Sequence, residues 1–294
     1  MPVVAVINRK GGSGKSTLAT HLAAYCANER MPVMLGDVDQ QQSTHAWLRR
    51  RNAQQLARPL AIVGWAVDPK NVLRPPAGIK HMVLDTPGGM RGFELARVAM
   101  FADAILMPVC NSVFDRESTA DCYAELLTLP RIASGRCKVA AVGMRLDART
   151  SADEVLRKWA ERLQLPFVGV LRETQAYVKC IERGLTLFDL PAAQVQADMD
   201  QWKPILQWLG PVLHGAQARN GTDRRPTRPA PLGNFSAGSL KPAPLSNASS
   251  AFARPNGNAV KPIVVEPIAR PSMAARLGRL LGVLPKHELP QRQR

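Results

Sequence analysis

The segment Lys10-Gly11-Gly12-Ser13-Gly14-Lys15-Ser16-Thr17 holds the residue types and spacing of a phosphate cradle. Glycines let the backbone turn tightly and bring its N–H groups against an anion, and a helix starting at the end of the loop adds the positive end of its dipole. Lys15 is placed to reach the β- and γ-phosphates of a nucleotide as a point charge, and Ser16 to ligate Mg²⁺. Thr17, one place further in, suits the α-phosphate. Asp37 and Asp39 stand at i and i+2 of an extended segment, so both side chains can face the phosphates. Each also suits a helix cap or a turn. Asp85 ends the apolar run 82–85, where it could hold Mg²⁺ through water, and Thr86-Pro87-Gly88-Gly89 form a turn suited to sensing a γ-phosphate. Lys10 is not required for cradling. It is either a solvated lysine or a group that reaches a phosphate held by a facing subunit.

The elements that must position these residues alternate along the chain. Residues 2–8 form a short apolar run before the glycine-rich turn, and 16–30 carry Leu18, Leu22, Ala23 and Cys26 at helical spacing. Further strands are expected at 33–37, 60–66, 80–84, 104–109, 137–143 and 167–171. Helices are expected at 42–55, 91–101, 116–129, 151–163, 175–183 and 194–209. Apolar runs of this length alternating with helices give an α/β fold, a mostly parallel twisted sheet covered by helices on both faces.

Composition divides the chain. Of 24 prolines, twelve fall in residues 1–210 and twelve in the shorter remainder. Residues 211–294 carry ten Arg and three Lys against one Asp and two Glu, a net of +10, which leaves +6 of the total +16 for the first 210. Three parts are expected: a P-loop nucleotide-binding domain over 1–210, a Pro/Ser/Arg-rich disordered linker over 211–272, and a short basic amphipathic segment and tail over 273–294. In that last part Leu277, Leu280, Leu281 and Leu284 share one helical face beside Arg276 and Arg279. So basic a balance points to a polyanionic partner. The five cysteines have neither CxxC spacing nor nearby histidines, and read as small buried hydrophobes in a reducing compartment. The N-terminus runs straight into a strand, which leaves no room for a signal peptide, and a cytoplasmic protein is expected. The histidines form no constellation, which argues against a metabolic P-loop kinase or ligase; His21, one turn beyond Thr17, reads as structural.

Together, the cradle with its leading lysine, the run Asp37-Val38-Asp39-Gln40-Gln41 and the run Leu84-Asp85-Thr86-Pro87-Gly88-Gly89 resemble the ParA/MinD family of deviant Walker A ATPases. The likeness covers residues 1–210. It implies ATP and Mg²⁺ as ligands, and it implies that Lys10 contacts nucleotide across an ATP sandwich dimer. By the same resemblance Lys15 is the P-loop lysine, and Ser16, Asp37 and Asp85 serve the Mg²⁺ site. Asp39 is the switch aspartate tied to hydrolysis. Gln40 stands where the family has proline. The runs 109–118 and 169–191 are most similar to the branch that positions protein cargo, carboxysomes in particular; plasmid or chromosome partition and chemoreceptor-array positioning are the neighbouring readings.

The resemblance further implies a cycle. An ATP-bound homodimer binds nonspecific double-stranded DNA of the nucleoid, a small cargo-bound adaptor stimulates a slow intrinsic ATPase, and release follows. The cations expected on the DNA face are Arg172, Lys179 and Arg183, with Arg49, Arg50 and Arg51 as a second set. The rival is a MinD-like membrane switch through residues 273–284, disfavoured by the short apolar face and by Gly278 and Gly282.

Overall fold

The computed structural model describes residues 1–220, apart from 40, 55, 57–58, 67–77 and 148. Gln40 and the amphipathic segment 273–284 therefore lie outside the described residues. Seven strands, β1 (Val3–Val6), β2 (Val33–Asp37), β3 (Val63–Ala66), β4 (His81–Asp85), β5 (Ala104–Val109), β6 (Lys138–Leu146) and β7 (Phe167–Arg172), form one sheet in the order β3-β2-β4-β1-β5-β6-β7. Every pairing is parallel. Helices α1 (Lys15–Asn28), α2 (Ser43–Ala53), α3 (Gly92–Phe101), α4 (Val113–Leu127), α5 (Pro130–Ala133), α6 (Ala152–Arg162), α7 (Gln175–Glu182) and α8 (Ala192–Asn220) make the crossovers and the two covering layers.

β1 shows why its sequence is a continuous apolar run rather than an alternating one. Val4 and Val6 enter the core beneath α1, α7 and α8, while Val3 and Ala5 enter the core on the opposite face with α3, α4 and α6. A strand buried on both faces has no solvent side to mark with polar residues. In a parallel sheet all crossover helices start at one edge. The chain therefore leaves β1, β2 and β4 at the same level, with Asp85 in register with both Val6 and Asp37. Neighbouring strands lie about 4.8 Å apart, so the residues picked out as phosphate- and Mg²⁺-directed converge there.

Two short elements were not expected: α5, opened by Pro130, and a 3₁₀ turn at Leu187–Asp189 closed by a reciprocal Thr186–Asp189 capping box. The last helix runs past its expected end at 209, through Pro211, to Asn220, with a non-helical Val195 near its start. Proline removes a backbone bond there. The buried stripe Trp202, Ile205, Leu209 and Leu213 outweighs that loss, and His81 Nε2 lies 2.9 Å from the Leu213 carbonyl oxygen. Trp202, fully buried, stacks on His21 at 5.6 Å, and its indole N–H donates to the Tyr177 hydroxyl at 3.0 Å. Truncating such a side chain costs about 3–5 kcal/mol.

Candidate functional site

The loop between β1 and α1 is fixed from below by Asn8, a buried polar residue at the end of an apolar strand. Its amide donates to the Pro108 carbonyl at 2.6 Å and to Thr119 Oγ1 at 2.9 Å, and its Oδ1 accepts the Lys10 N–H at 3.0 Å. The Lys10 backbone is thereby held while its side chain stays exposed. Lys15 folds back and donates to the Lys10 carbonyl at 3.0 Å. Gly14, at φ +95°, is the N-cap of α1 and supplies no side-chain cap, so the first-turn N–H groups remain available to an anion. A Cβ at Gly14 would also sit 2.7 Å from Met144 Cε, while Gly11 and Gly12 have open space around them.

The turn after β4 closes on this loop. Thr86 Oγ1 donates to the Val6 carbonyl at 2.7 Å, the Gly89 N–H donates to the Arg9 carbonyl at 2.7 Å, and Gly88 lies against Gly11. Arg9 pairs with Glu125 of α4, whose other oxygen accepts the Gly92 N–H at 2.6 Å. The result is a cleft of about 640 Å³ bounded by Gly11, Gly12, Lys15, Ser16, Asp39 and Arg145.

The three aspartates differ in what they do. Asp39 lines the cleft. Asp37 is buried and already engaged: its Oδ2 accepts from the Thr44 hydroxyl at 2.6 Å and from the N–H groups of Thr44 and His45 at 3.1 and 3.2 Å. Its Oδ1 accepts the Asp39 N–H at 3.1 Å. Asp37 thus caps α2, the alternative its sequence left open. Asp85 is 1% exposed, and neither carboxylate oxygen has a hydrogen-bond partner. Burial raises its pKa to about 7. The nearby Ser16 hydroxyl and Lys15 pull it back down without meeting the geometry of a full hydrogen bond to Asp85. Burial lowers the pKa of Lys15, against the attraction of Asp85 and Asp39. Ser13 Oγ is also buried and unpartnered.

These observations fit a phosphorylated ligand with a divalent cation. An orphaned carboxylate and hydroxyl, a half-compensated ammonium and an uncapped helix N-terminus are each costly alone, and all are satisfied by such a pair. Among the described residues no cluster of three or more His, Cys, Asp or Glu forms a metal site of its own, so a cation here needs the ligand's oxygens as well.

Arg145 was missed. It ends the run of β6 at a register shift, has φ +52°, and lines the cleft with its Nη2 3.3 Å from Cys110 Sγ. A bulge that forces a non-glycine residue into the left-handed region re-aims its side chain. No spacing rule reports it. Cys110 is half-exposed, whereas the other four cysteines are buried as expected. His21 is structural as expected: Nδ1 lies 2.8 Å from the Thr17 carbonyl, Nε2 accepts the Leu187 N–H at 3.4 Å, and burial lowers its pKa to about 4.

Of the cations expected on a DNA face, Lys179 and Arg183 are exposed and line a shallow groove beside the start of α8. Arg172 is not with them. Its guanidinium is tied to Asp198 at 2.6 and 3.1 Å, because β7 runs beside α8 and places that carboxylate opposite. Arg51 is likewise withdrawn, in a buried pair with Asp189.

The profile of the CobQ/CobB/MinD/ParA nucleotide binding domain matches residues 4–187. A maintenance of carboxysome distribution protein A from Gloeobacter kilaueensis is 33% identical over 221 residues, 74% of this chain and 89% of that one. Among solved structures, apo McdA of Cyanthece superposes with a TM-score of 0.54 at 13% identity, covering 70% of this chain and 99% of that one. A plasmid partition protein of Borrelia burgdorferi bound to AMPPNP does so with a TM-score of 0.52 at 14% identity, covering 70% and 99%. At these identities the two structures show a shared fold.

Proposed function

Because the chain belongs to the CobQ/CobB/MinD/ParA nucleotide-binding family, we propose that it is a Mg²⁺-dependent ATPase working as a dimerising switch. In its ATP state it binds DNA without sequence preference, and its cargo is the carboxysome, the organelle in the name of its 33%-identical relative. The observation that carries the switch is Lys10. Its backbone is pinned by Asn8 beside a complete cradle, yet its side chain is exposed and does not line its own cleft. A lysine so placed serves a phosphate on a second copy.

Within one subunit, Lys15 and the first-turn N–H groups of α1 bind and orient the phosphates. Mg²⁺, when bound through Ser16 with Asp37 and Asp85 behind it, neutralises phosphate charge. Asp39, at the cleft surface, orients a water and accepts its proton. The Thr86–Gly89 turn, hydrogen-bonded to the P-loop, reports the γ-phosphate to α3. Phe93 and Phe114, 78% and 73% exposed at the starts of α3 and α4, stand at the sheet edge that carries the cleft, where a facing copy would cover them. Among the described residues no helix is long and apolar enough to cross a membrane.

The test is binding of the full chain to nonspecific duplex DNA with Mg²⁺-ATP and with Mg²⁺-ADP at physiological salt. Binding in ATP alone is expected. Equal binding in both would assign DNA affinity to the basic C-terminal residues acting alone, and none in either would remove DNA from the cycle.

A further inference from the structure

We infer that the last turn of α2 and the end of α7 form a single cationic surface, in which Arg49 and Arg50 act with Lys179 and Arg183 on a phosphodiester backbone. This rests on the DNA-binding reading above and extends it to a second element. The sequence offers the α2 arginines and the α7 cations as separate candidates, 130 residues apart. The structure joins them at Gly184. That residue has φ +72°, and a Cβ there would lie 2.5 Å from the Arg50 carbonyl carbon and 2.8 Å from Arg50 Cβ, and would overlap the Arg51 nitrogen. Only glycine allows the chain after Arg183 to lie directly on the α2 backbone.

The contact is locked by buried groups. Arg51 donates through Nη1 and Nη2 to Asp189 at 2.7 and 2.8 Å, with both side chains 5% exposed or less. Asp189 also accepts the Thr186 N–H and hydroxyl at 2.8 and 2.7 Å and the Asn28 amide at 3.2 Å. Trp47 Nε1 donates to the Leu185 carbonyl at 3.3 Å, and the Arg51 guanidinium lies 5.3 Å over the Trp47 ring. α2 is therefore pinned at two points to the segment that follows α7. Arg51 spends its charge inside, while Arg49, Arg50, Lys179 and Arg183 are exposed, with Glu182 as the acidic neighbour on α7.

Four cations on two rigidly joined helices suit the regular charge of a duplex, where contacts to phosphate give affinity without reading sequence. A lipid surface would call for an apolar face beside the cations, and α7 exposes only Val178 among its large hydrophobics, at 48%. The first turn of the same helix α2 is capped by the carboxylate of Asp37 at the end of β2, so one element joins the nucleotide loop to this surface.

The test measures the affinity of the full chain in Mg²⁺-ATP for a labelled nonspecific duplex across a salt series. Arg49→Ala with Arg50→Ala is expected to weaken binding roughly tenfold and to make the slope of log K against log salt shallower by about two. Arg49→Lys with Arg50→Lys should restore the slope, since a phosphate needs charge rather than a fork. Lys179→Ala with Arg183→Ala should give a loss of the same size, and a thermal melt confirms that each variant is folded. If wild type binds the duplex and the Arg49/Arg50 alanine variant matches it at every salt, the inference falls and the DNA reading stands. If wild type binds anionic phosphatidylserine vesicles and not the duplex, both fall.

Discussion

Lys10 and Lys15 sit five residues apart and are expected to fail differently. Lys15→Ala should abolish binding of ADP and ATP alike, because the cradle loses its buried ammonium. Lys10→Ala should weaken ATP-dependent assembly far more than ADP binding by the monomer, and calorimetry with ADP beside light scattering with ATP separates the two. Equal loss in both would place Lys10 in its own cleft. Asp85 is a second residue with a measurable signature. Its pKa is raised from 3.8 to about 7, so the folded state holds a proton that the unfolded state releases. The resulting penalty is absent below pH 3.8, grows through the window to 7, and is about 4 kcal/mol at most. Asp85→Asn should therefore raise the nucleotide-free melting temperature at pH 7.5 while abolishing ATP hydrolysis. A lowered melting temperature would mean that the carboxylate has partners within the fold. The leading lysine, the glycines and the three aspartates are marked in the sequence by their places at or just beyond the apolar runs 2–8, 33–37 and 80–84. The sequence leaves a helix cap open as one of two roles for Asp37, but it does not mark Arg145, which depends on a bulge with φ +52° at a non-glycine residue.

At the scale of elements, the strands and most helices followed from apolar runs and their period. The ties between distant elements did not. Arg51 and Asp189 are 138 residues apart, and no local pattern pairs them. Removing one partner of so buried a pair leaves an uncompensated charge, so Asp189→Asn should cost about 3–5 kcal/mol, read by denaturant unfolding. A cost below 1 kcal/mol would show that Arg51 finds water instead. His21 sets a pH dependence of opposite sign to Asp85. Its folded pKa of about 4 lies below the ordinary 6.5, so its contribution is complete above pH 6.5 and is lost as pH falls toward 4. The two partly offset each other between pH 4 and 7. Asp85→Asn should make the acid-side loss of melting temperature steeper, and His21→Gln should make it shallower. Parallel curves for the three proteins would contradict both assignments.

For the whole molecule, the positive charge is concentrated toward the C-terminal end of the sequence. Residues 211–294 carry +10 of the net +16. A chain ending at residue 220, where α8 ends, should keep the ATP dependence of DNA binding and lose much of its strength at low salt. Loss of the ATP dependence itself would place the switch in the removed segment. The exposed Phe93 and Phe114 were not singled out by sequence, since an aromatic at the start of a helix looks like core until the packing is known. Their place at the sheet edge that carries the cleft makes the nucleotide-dependent dimer the central claim. The direct measurement is the mass of the full chain in solution, by light scattering, in Mg²⁺-ATP and in Mg²⁺-ADP. A dimer in ATP that returns to monomer in ADP is expected; one mass in both nucleotides would contradict the switch.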